Sequence, residues 1–424
     1  MTFALRGGTV LTVDGELRAD VLIDGSRIVA IGASLKGDVE LDATGCHVLP
    51  GFVDLHSHLR EPGREEAETI ESGSRAGALG GYTALIAMPN TDPAQDSVAT
   101  VEFVRSQGQR AGLVDVVPSG CITIDRRGER LVPFADLARV GVRIFTDDGN
   151  GVQDAGLMRR ALVIARDLGV VLAQHCEVAT LTVGAVMDEC RCSGELGLPG
   201  WPAVAEELMV QRDIDLARET GSRIHFLHLS TARSVALVRA AKAEGLAVTA
   251  EVTPHHLLLD HERLRGFNPL FKVNPPLRSH SDAVALRAGL LDGTIDALAT
   301  DHAPHPFWSK ELTLAEASAG MIGLHAALGV LGAALAPSPA DVARVMSIAP
   351  AAIAGLWPRH GNLPAVGGAA NVCVADLSAR WTGGTRLTGS RSANDPWVGV
   401  PLVGAVRHTV FDGQPTVIDG EVQS

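Results

Sequence analysis

Several apolar runs of this sequence end in imidazole or carboxylate groups: Asp54, His56 and His58 after one, Asp147 and Asp148 after another, then His175, His228, and Asp301 with His302. Histidine nitrogen and carboxylate oxygen are the usual ligand atoms of zinc. A single histidine at such a place is most simply a hydrogen-bonded structural residue. The alternating His56-Ser57-His58 says more, because a strand's period of two turns both rings to one side. With five separate runs ending in the same chemistry, the set reads as one metal centre.

For those groups to meet, the runs must be parallel strands that all end on one rim. Strand-length runs at 52–55, 83–87, 114–118, 142–145, 170–173, 223–227, 247–251 and 297–299 alternate with helical patterns such as 68–78, 154–168, 203–219 and 231–243. That alternation predicts a (β/α)8 barrel, whose chemistry is built at the C-terminal ends of its strands. The two ends of the chain have a different texture. Residues 1–49 read as short strands punctuated by Asp14-Gly15 and Asp24-Gly25, and the C-terminal runs 370–376, 404–411 and 416–418 surround a similar Asp412-Gly413. The expected organisation is a barrel over 50–365 and a small β-sandwich domain made jointly by 1–49 and 366–424. The longest non-periodic insertion lies at 190–201, after the fifth strand.

Composition narrows the partners. With 46% apolar and 20% charged residues in 424, the chain has material for a large core and reads as a globular protein. A net charge of −13 argues against nucleic acid or an anionic membrane as partner, while leaving room for a local anion site. The apolar stretch 321–336 contains His325 and is shorter than the roughly 20 residues that span a bilayer, so a buried helix is expected there. The opening MTFALRGGTV, with Arg6 in strand-like alternation, does not resemble a secretory signal. Cys46, Cys121, Cys176, Cys190, Cys192 and Cys373 are scattered in a chain too long to need covalent staples, so reduced thiols in a cytoplasmic protein are expected. Cys190-Arg191-Cys192 has no second Cys or His pair at finger spacing and is not taken as a ligand pair.

The segment Pro50-Gly51-Phe52-Val53-Asp54-Leu55-His56-Ser57-His58 resembles the opening of the amidohydrolase superfamily barrel, and Leu59-Arg60-Glu61-Pro62-Gly63 narrows the likeness to dihydroorotases of the larger bacterial type. Met88-Pro89-Asn90-Thr91, Asp147-Asp148-Gly149, Asn274-Pro275-Pro276-Leu277-Arg278 and Asp301-His302-Ala303-Pro304-His305 resemble that family in the right order. The resemblance implies two zinc ions per subunit. His56, His58 and Asp301 would hold one, His175 and His228 the other, and Asp148 and a hydroxide would bridge them. It also implies that this hydroxide is the nucleophile and that Asp301 shuttles its proton to the leaving nitrogen. The reaction implied is reversible cyclisation of N-carbamoyl-L-aspartate to (S)-dihydroorotate and water, the third step of pyrimidine biosynthesis. A homodimer and an association with aspartate transcarbamoylase come with the family.

Substrate choice rests on groups that bind an anion. Arg60 lies two residues past His58 on the same rim and can hold a carboxylate bidentately. By resemblance, Asn90 and His305 complete that clamp and Asn274 contacts the ring amide. The bland reading of Arg60 is a surface ion pair with Glu61 or Glu65. Two competing functions are a hydantoinase or allantoinase, which would carry a lysine after the fourth strand and lack the clamp, and a metal-free scaffold partner of the transcarbamoylase, which would have lost ligands. His325 and Pro306-Phe307-Trp308 depart from the family pattern on the substrate side. His225, His255, His256, His47, His261, His280, His360 and His408 are assigned no ligand role.

Overall fold

In this computed structural model, which describes residues 2–423, the chain opens with five strands. They are β1 Thr2–Thr12, β2 Gly15–Asp24, β3 Arg27–Gly32, β4 Val39–Asp42 and β5 His47–Pro50. Only Gly51 separates β5 from β6, Phe52–Ser57. A Cβ on Gly51 would lie 2.3 Å from the Thr83 side chain, so the junction needs a residue without one.

Strand β6 begins a set of parallel strands with β7 Tyr82–Ala87, β8 Asp115–Pro118, β9 Ile144–Phe145 and β10 Val171–Gln174. Inside the insertion lie the short β11 Met187–Asp188 and β12 Gly200–Trp201, and the set resumes with β13 Ile224–Phe226, β14 Val248–Val252 and β15 Ala297–Leu298. Pairing runs β6-β7-β8 and β9-β10-β13-β14-β15. Parallel bridges from Gly120 to Phe145 and from Ser57 to His302 join these two sheets at both edges, which closes eight strands into a barrel. Strands β6, β7 and β10 are buried at every residue, which is why they read as continuous apolar runs rather than alternating ones. Helices fill the intervals. Helix Ala155–Leu168 starts on Asp154, whose side chain accepts from Leu157 N–H, and stops at Gly169 with φ 69°.

The chain returns to its beginning through β16 Val372–Thr382, β17 Pro401–Phe411, β18 Gln414–Ile418 and β19 Glu421–Val422. These pair with the N-terminal strands in one nine-stranded sheet, order β19-β18-β17-β16-β5-β1-β2-β3, with β4 beside β1. The join is antiparallel, Val372 opposite Pro50. Leu5, Val10, Val21, Ile23, Ile28, Val48, Val372, Val374 and Val410 share a core of their own there, separate from that of the barrel. The stretch 321–336 forms a turn of 3-10 helix and the α-helix Ala327–Leu335, with Leu328, Val330 and Leu331 buried. Among the described residues no helix is long and apolar enough to cross a membrane.

The cysteines depart from expectation. Cys190 and Cys192 are joined by a disulfide, whereas Cys46, Cys121, Cys176 and Cys373 are free and buried. The chain turns into the short helix Arg191–Leu196 at this point, which leaves the two Cα atoms 5.2 Å apart and within bonding reach. The insertion that carries them is ordered, because β11 and β12 pair in parallel across it.

Candidate metal centre

His56 and His58 leave the end of β6 on the same side, as a period of two requires, with ring centroids 5.2 Å apart. The Nε2 atom of His58 lies 3.0 Å from Asp301 Oδ1, and that of His56 lies 3.4 Å from Asp148 Oδ2 and 3.5 Å from Asp301 Oδ1. From β10, His175 brings Nδ1 within 3.3 Å of Asp148 Oδ1 and 3.0 Å of His228 Nε2. His228 Nε2 is 3.6 Å from the same Asp148 oxygen. Asp148 thus stands in the middle, with one oxygen toward His56 and the other toward His175 and His228. The atoms of His56, His58 and Asp301 lie within 4.8 Å of one another, and so do those of His56, Asp148 and His228.

Two buried atoms at this centre, His56 Nε2 and Asp148 Oδ1, have no hydrogen-bond partner among the described residues. An unsatisfied buried polar atom costs about 1–3 kcal/mol, so both need a partner that the chain does not supply. A metal ion meets that need, and the mixed imidazole and carboxylate donor set suits zinc. His228, Asp301 and Arg60 have φ of 31°, 45° and 64°, in the left-handed region that residues with a Cβ seldom occupy. Strain gathered on three residues of one cavity is a mark of a functional site.

Neighbouring side chains fix which nitrogen of His56, His58 and His175 faces inward. Glu251, the last residue of the run at 247–251, accepts from His56 Nδ1 at 2.8 Å and from His225 Nε2 at 3.0 Å. Burial opposes its ionisation, but the two imidazoles outweigh it and bring the carboxyl down to about 2. Glu177 meets His175 Nε2 at 3.0 Å, and Asn90 Oδ1 meets His58 Nδ1 at 2.9 Å. Asn90 therefore spends its carbonyl on His58 and keeps its amide N–H groups for a ligand. At Asp301 burial also opposes ionisation, yet the imidazoles of His56 and His58 hold the carboxyl below its usual range. Glu251 and Glu177 were not singled out in the sequence, although a lone acid ending an apolar run is the signal that Glu251 offered.

The other acids near the rim face elsewhere. Asp54 accepts from Thr300 N–H and Oγ1–H, both at 2.7 Å, and ties β6 to the end of β15; burial pushes its carboxyl up to about 6. Asp147 accepts from the N–H groups of Ile122 and Thr123 at 2.8 and 2.9 Å and from the Thr123 hydroxyl, so both of its oxygens are held by the 122–123 turn rather than by the centre.

A cavity of about 150 Å³ opens beside the cluster, lined by His58, Asp148, His175, His228 and Asp301 together with Arg60, Asn90, Asn274 and His305. Arg60 is buried, with no carboxylate at ion-pair distance among the described residues. Its Nε donates to Pro304 O at 3.1 Å, and burial brings the guanidinium down to about 10, so it stays charged. Glu61 and Glu65 accept instead from the N–H groups of Ile70 and Gly63. His305 Nε2 donates to Ala319 O at 2.8 Å; burial and the nearby Arg60 bring its ring down to about 2, so it is neutral. Asn394, from the segment between β16 and β17, accepts from His305 N–H at 3.2 Å and donates to Ala303 O and Gly320 O. His325 turns away to Asp395, 3.4 Å distant, and Phe307 and Trp308 are 64% and 60% exposed outside the cavity. His256 bonds Thr253 and the Pro275 carbonyl, and His255 is buried with no hydrogen-bond partner for Nε2 among the described residues.

Residues 45–234 match the family model described as Dihydro-orotase-like. Among relatives, the chain is 47% identical to "Dihydroorotase" of Streptomyces coelicolor, covering 99% of each chain. It is 49% identical to "Dihydroorotase" of Mycobacterium tuberculosis, covering 97% of each. Among solved structures, L-hydantoinase (dihydropyrimidinase) from Arthrobacter aurescens superposes with a TM-score of 0.87 at 25% identity, covering 100% of this chain and 97% of its own. A D-hydantoinase at 22% identity and TM-score 0.85 shares the fold.

Proposed function

The chain belongs to the dihydroorotase family, and from that premise we propose how its rim performs the family's reaction, the reversible closure of N-carbamoyl-L-aspartate to (S)-dihydroorotate with loss of water. It is a cyclic amide hydrolase and depends on metal. The proposed metal is zinc, two ions per subunit, held by His56, His58 and Asp301 on one side and His175 and His228 on the other, with Asp148 between them. Zinc bound there polarises the amide carbonyl and makes water a nucleophile near neutral pH.

The chain's own groups do the rest. Asp301 takes the proton of the attacking water on its carboxylate and returns it to the ring nitrogen as the amide bond breaks; in the closing direction the steps reverse. Arg60 and the amide of Asn90 hold the carboxylate that does not react, His305 joins them by turning its Nε2–H from the Ala319 carbonyl to that carboxylate, and Asn274 contacts the ring amide. Glu251, Glu177 and Asn90 keep the imidazoles of His56, His175 and His58 aimed inward.

The observation that carries this reading is Arg60, a buried guanidinium with no acidic partner at ion-pair distance among the described residues, which lines the same cavity as the metal cluster. A charge so placed is costly unless a ligand anion pairs with it. A neutral hydantoin gives Arg60 nothing to bind, and a scaffold without metal gives the inward-facing donors no purpose. A homodimer in the cytoplasm that associates with aspartate transcarbamoylase is proposed on the family's precedent, and the net charge of −13 speaks against nucleic acid as a partner. The test is turnover of dihydroorotate against hydantoin and allantoin by apoprotein with zinc added back. Dihydroorotate should be the preferred substrate by a wide margin; a preference for either uncharged ring would overturn the assignment.

A further inference from the structure

Away from the catalytic cavity, the insertion between β10 and β13 brings two sulfurs against an imidazole. One ring nitrogen of His261 and the sulfurs of Cys190 and Cys192 all lie within 4.8 Å of one another. His261 opens a 3-10 turn after β14, so the third member of the group comes from a distant part of the chain. That is why no finger spacing betrays it in the sequence.

Three features go beyond proximity. Asp188 Oδ2 accepts from His261 Nδ1 at 2.8 Å, which leaves Nε2 as the nitrogen able to ligate. A carboxylate behind a histidine is the usual support of a metal ligand, fixing the ring and raising its basicity. Asp188 is itself anchored, since its other oxygen takes Arg278 Nη1 at 2.7 Å. The sulfurs sit at the edge of a small apolar cluster with Met187, Leu264 and Leu314, and the Ser193 N–H donates to Cys190 Sγ at 3.2 Å. A hydrogen bond to sulfur favours its ionised form, which is the form that binds metal.

We propose that Cys190, Cys192 and His261 form a second metal site, for a soft divalent cation of the zinc type, which fills only when the Cys190–Cys192 disulfide is reduced. Two thiolates and one imidazole make a donor set that selects such ions, and two thiolates balance the ion's charge. The two states exclude each other, because a sulfur in a disulfide has no thiolate pair to give. A low-molecular-weight thiol supplies the two electrons: the S–S bond breaks, two reductant molecules leave joined as their own disulfide, and the freed thiols lose their protons to the solvent as the metal binds.

The experiment uses full-length, zinc-loaded protein in its disulfide form and after reduction with a phosphine, which does not compete for metal as a thiol would. Each is titrated with cadmium and followed by the ultraviolet charge-transfer band of thiolate–cadmium bonds. The reduced protein should develop the band and saturate at one cadmium per chain, while the disulfide form develops none. Cys190→Ser and Cys192→Ser should each weaken or abolish the band, and Asp188→Asn should weaken cadmium binding by about 10- to 100-fold. Absence of the band in reduced protein overturns the proposal without need of any variant. So does a band undiminished in both serine variants, which would place the cadmium on Cys176 beside His175.

Discussion

Glu251 fixes the ring of His56: its Oε1 accepts the Nδ1 proton at 2.8 Å with both side chains fully buried, so His56 has only Nε2 to present to Asp148 and Asp301. The same carboxylate takes His225, so one acid sets two rings. Glu251→Gln keeps the shape but removes the charge and one acceptor. Zinc affinity is expected to fall by roughly 10- to 100-fold, the usual effect of losing such a support. Competition against a chromophoric chelator measures it, and an affinity equal to wild type would refute the role.

Asp301 is proposed to carry the proton as well as to hold metal. Asp301→Asn should lower kcat by at least ~10²-fold, the lower range for a general base, with the thermal unfolding midpoint little changed. Turnover near the wild-type rate would remove Asp301 from the proton path.

Arg60 is assigned to the unreacting carboxylate. Arg60→Met should weaken dihydroorotate by roughly 10- to 100-fold, as expected from charged hydrogen bonds of about 1.5–3 kcal/mol. Dihydrouracil, which lacks that carboxylate, should be affected far less. Equal losses for the two compounds would show the clamp to be wrongly placed.

Asp148 and Asp147 are neighbours with separate tasks. Asp148→Ala should lose zinc, whereas folded Asp147→Ala should retain it and be less stable, since three donors around Ile122 and Thr123 lose their acceptor. No lysine occurs between Lys36 and Lys242, so apoprotein should regain full activity with zinc in bicarbonate-free buffer. A need for carbon dioxide, or zinc loss confined to the Asp147 variant, would reverse the assignment.

Asn394, on the segment between β16 and β17, braces three backbone groups of the cavity wall, accepting from the His305 N–H and donating to the Ala303 and Gly320 carbonyls. Asn394→Ala should raise KM for dihydroorotate by about 10-fold, from a lost buried hydrogen bond of the order of 1–1.5 kcal/mol, and leave the zinc content unchanged. Parallel loss of zinc would mean that the change reaches the metal centre instead.

The sequence by itself determined the barrel and the identity of the inward-facing rings. Strands buried on both faces must be apolar throughout, so a polar residue at the end of such a run stands out, and the period of two alone pairs His56 with His58. What tertiary structure decided is which polar atoms meet. Adjacent in sequence, Asp147 and Asp148 offer nearly the same chemistry to a one-dimensional reading, and only the turn at Ile122 and Thr123 claims the first and leaves the second for the centre. Glu251, Glu177 and Asn394 act through partners on other elements, and His261 reaches Cys190 and Cys192 only because the fold returns there. A hydrogen bond or a ligand shell depends on distances of a few ångströms between residues far apart in the chain, and no local pattern of residue types encodes those distances.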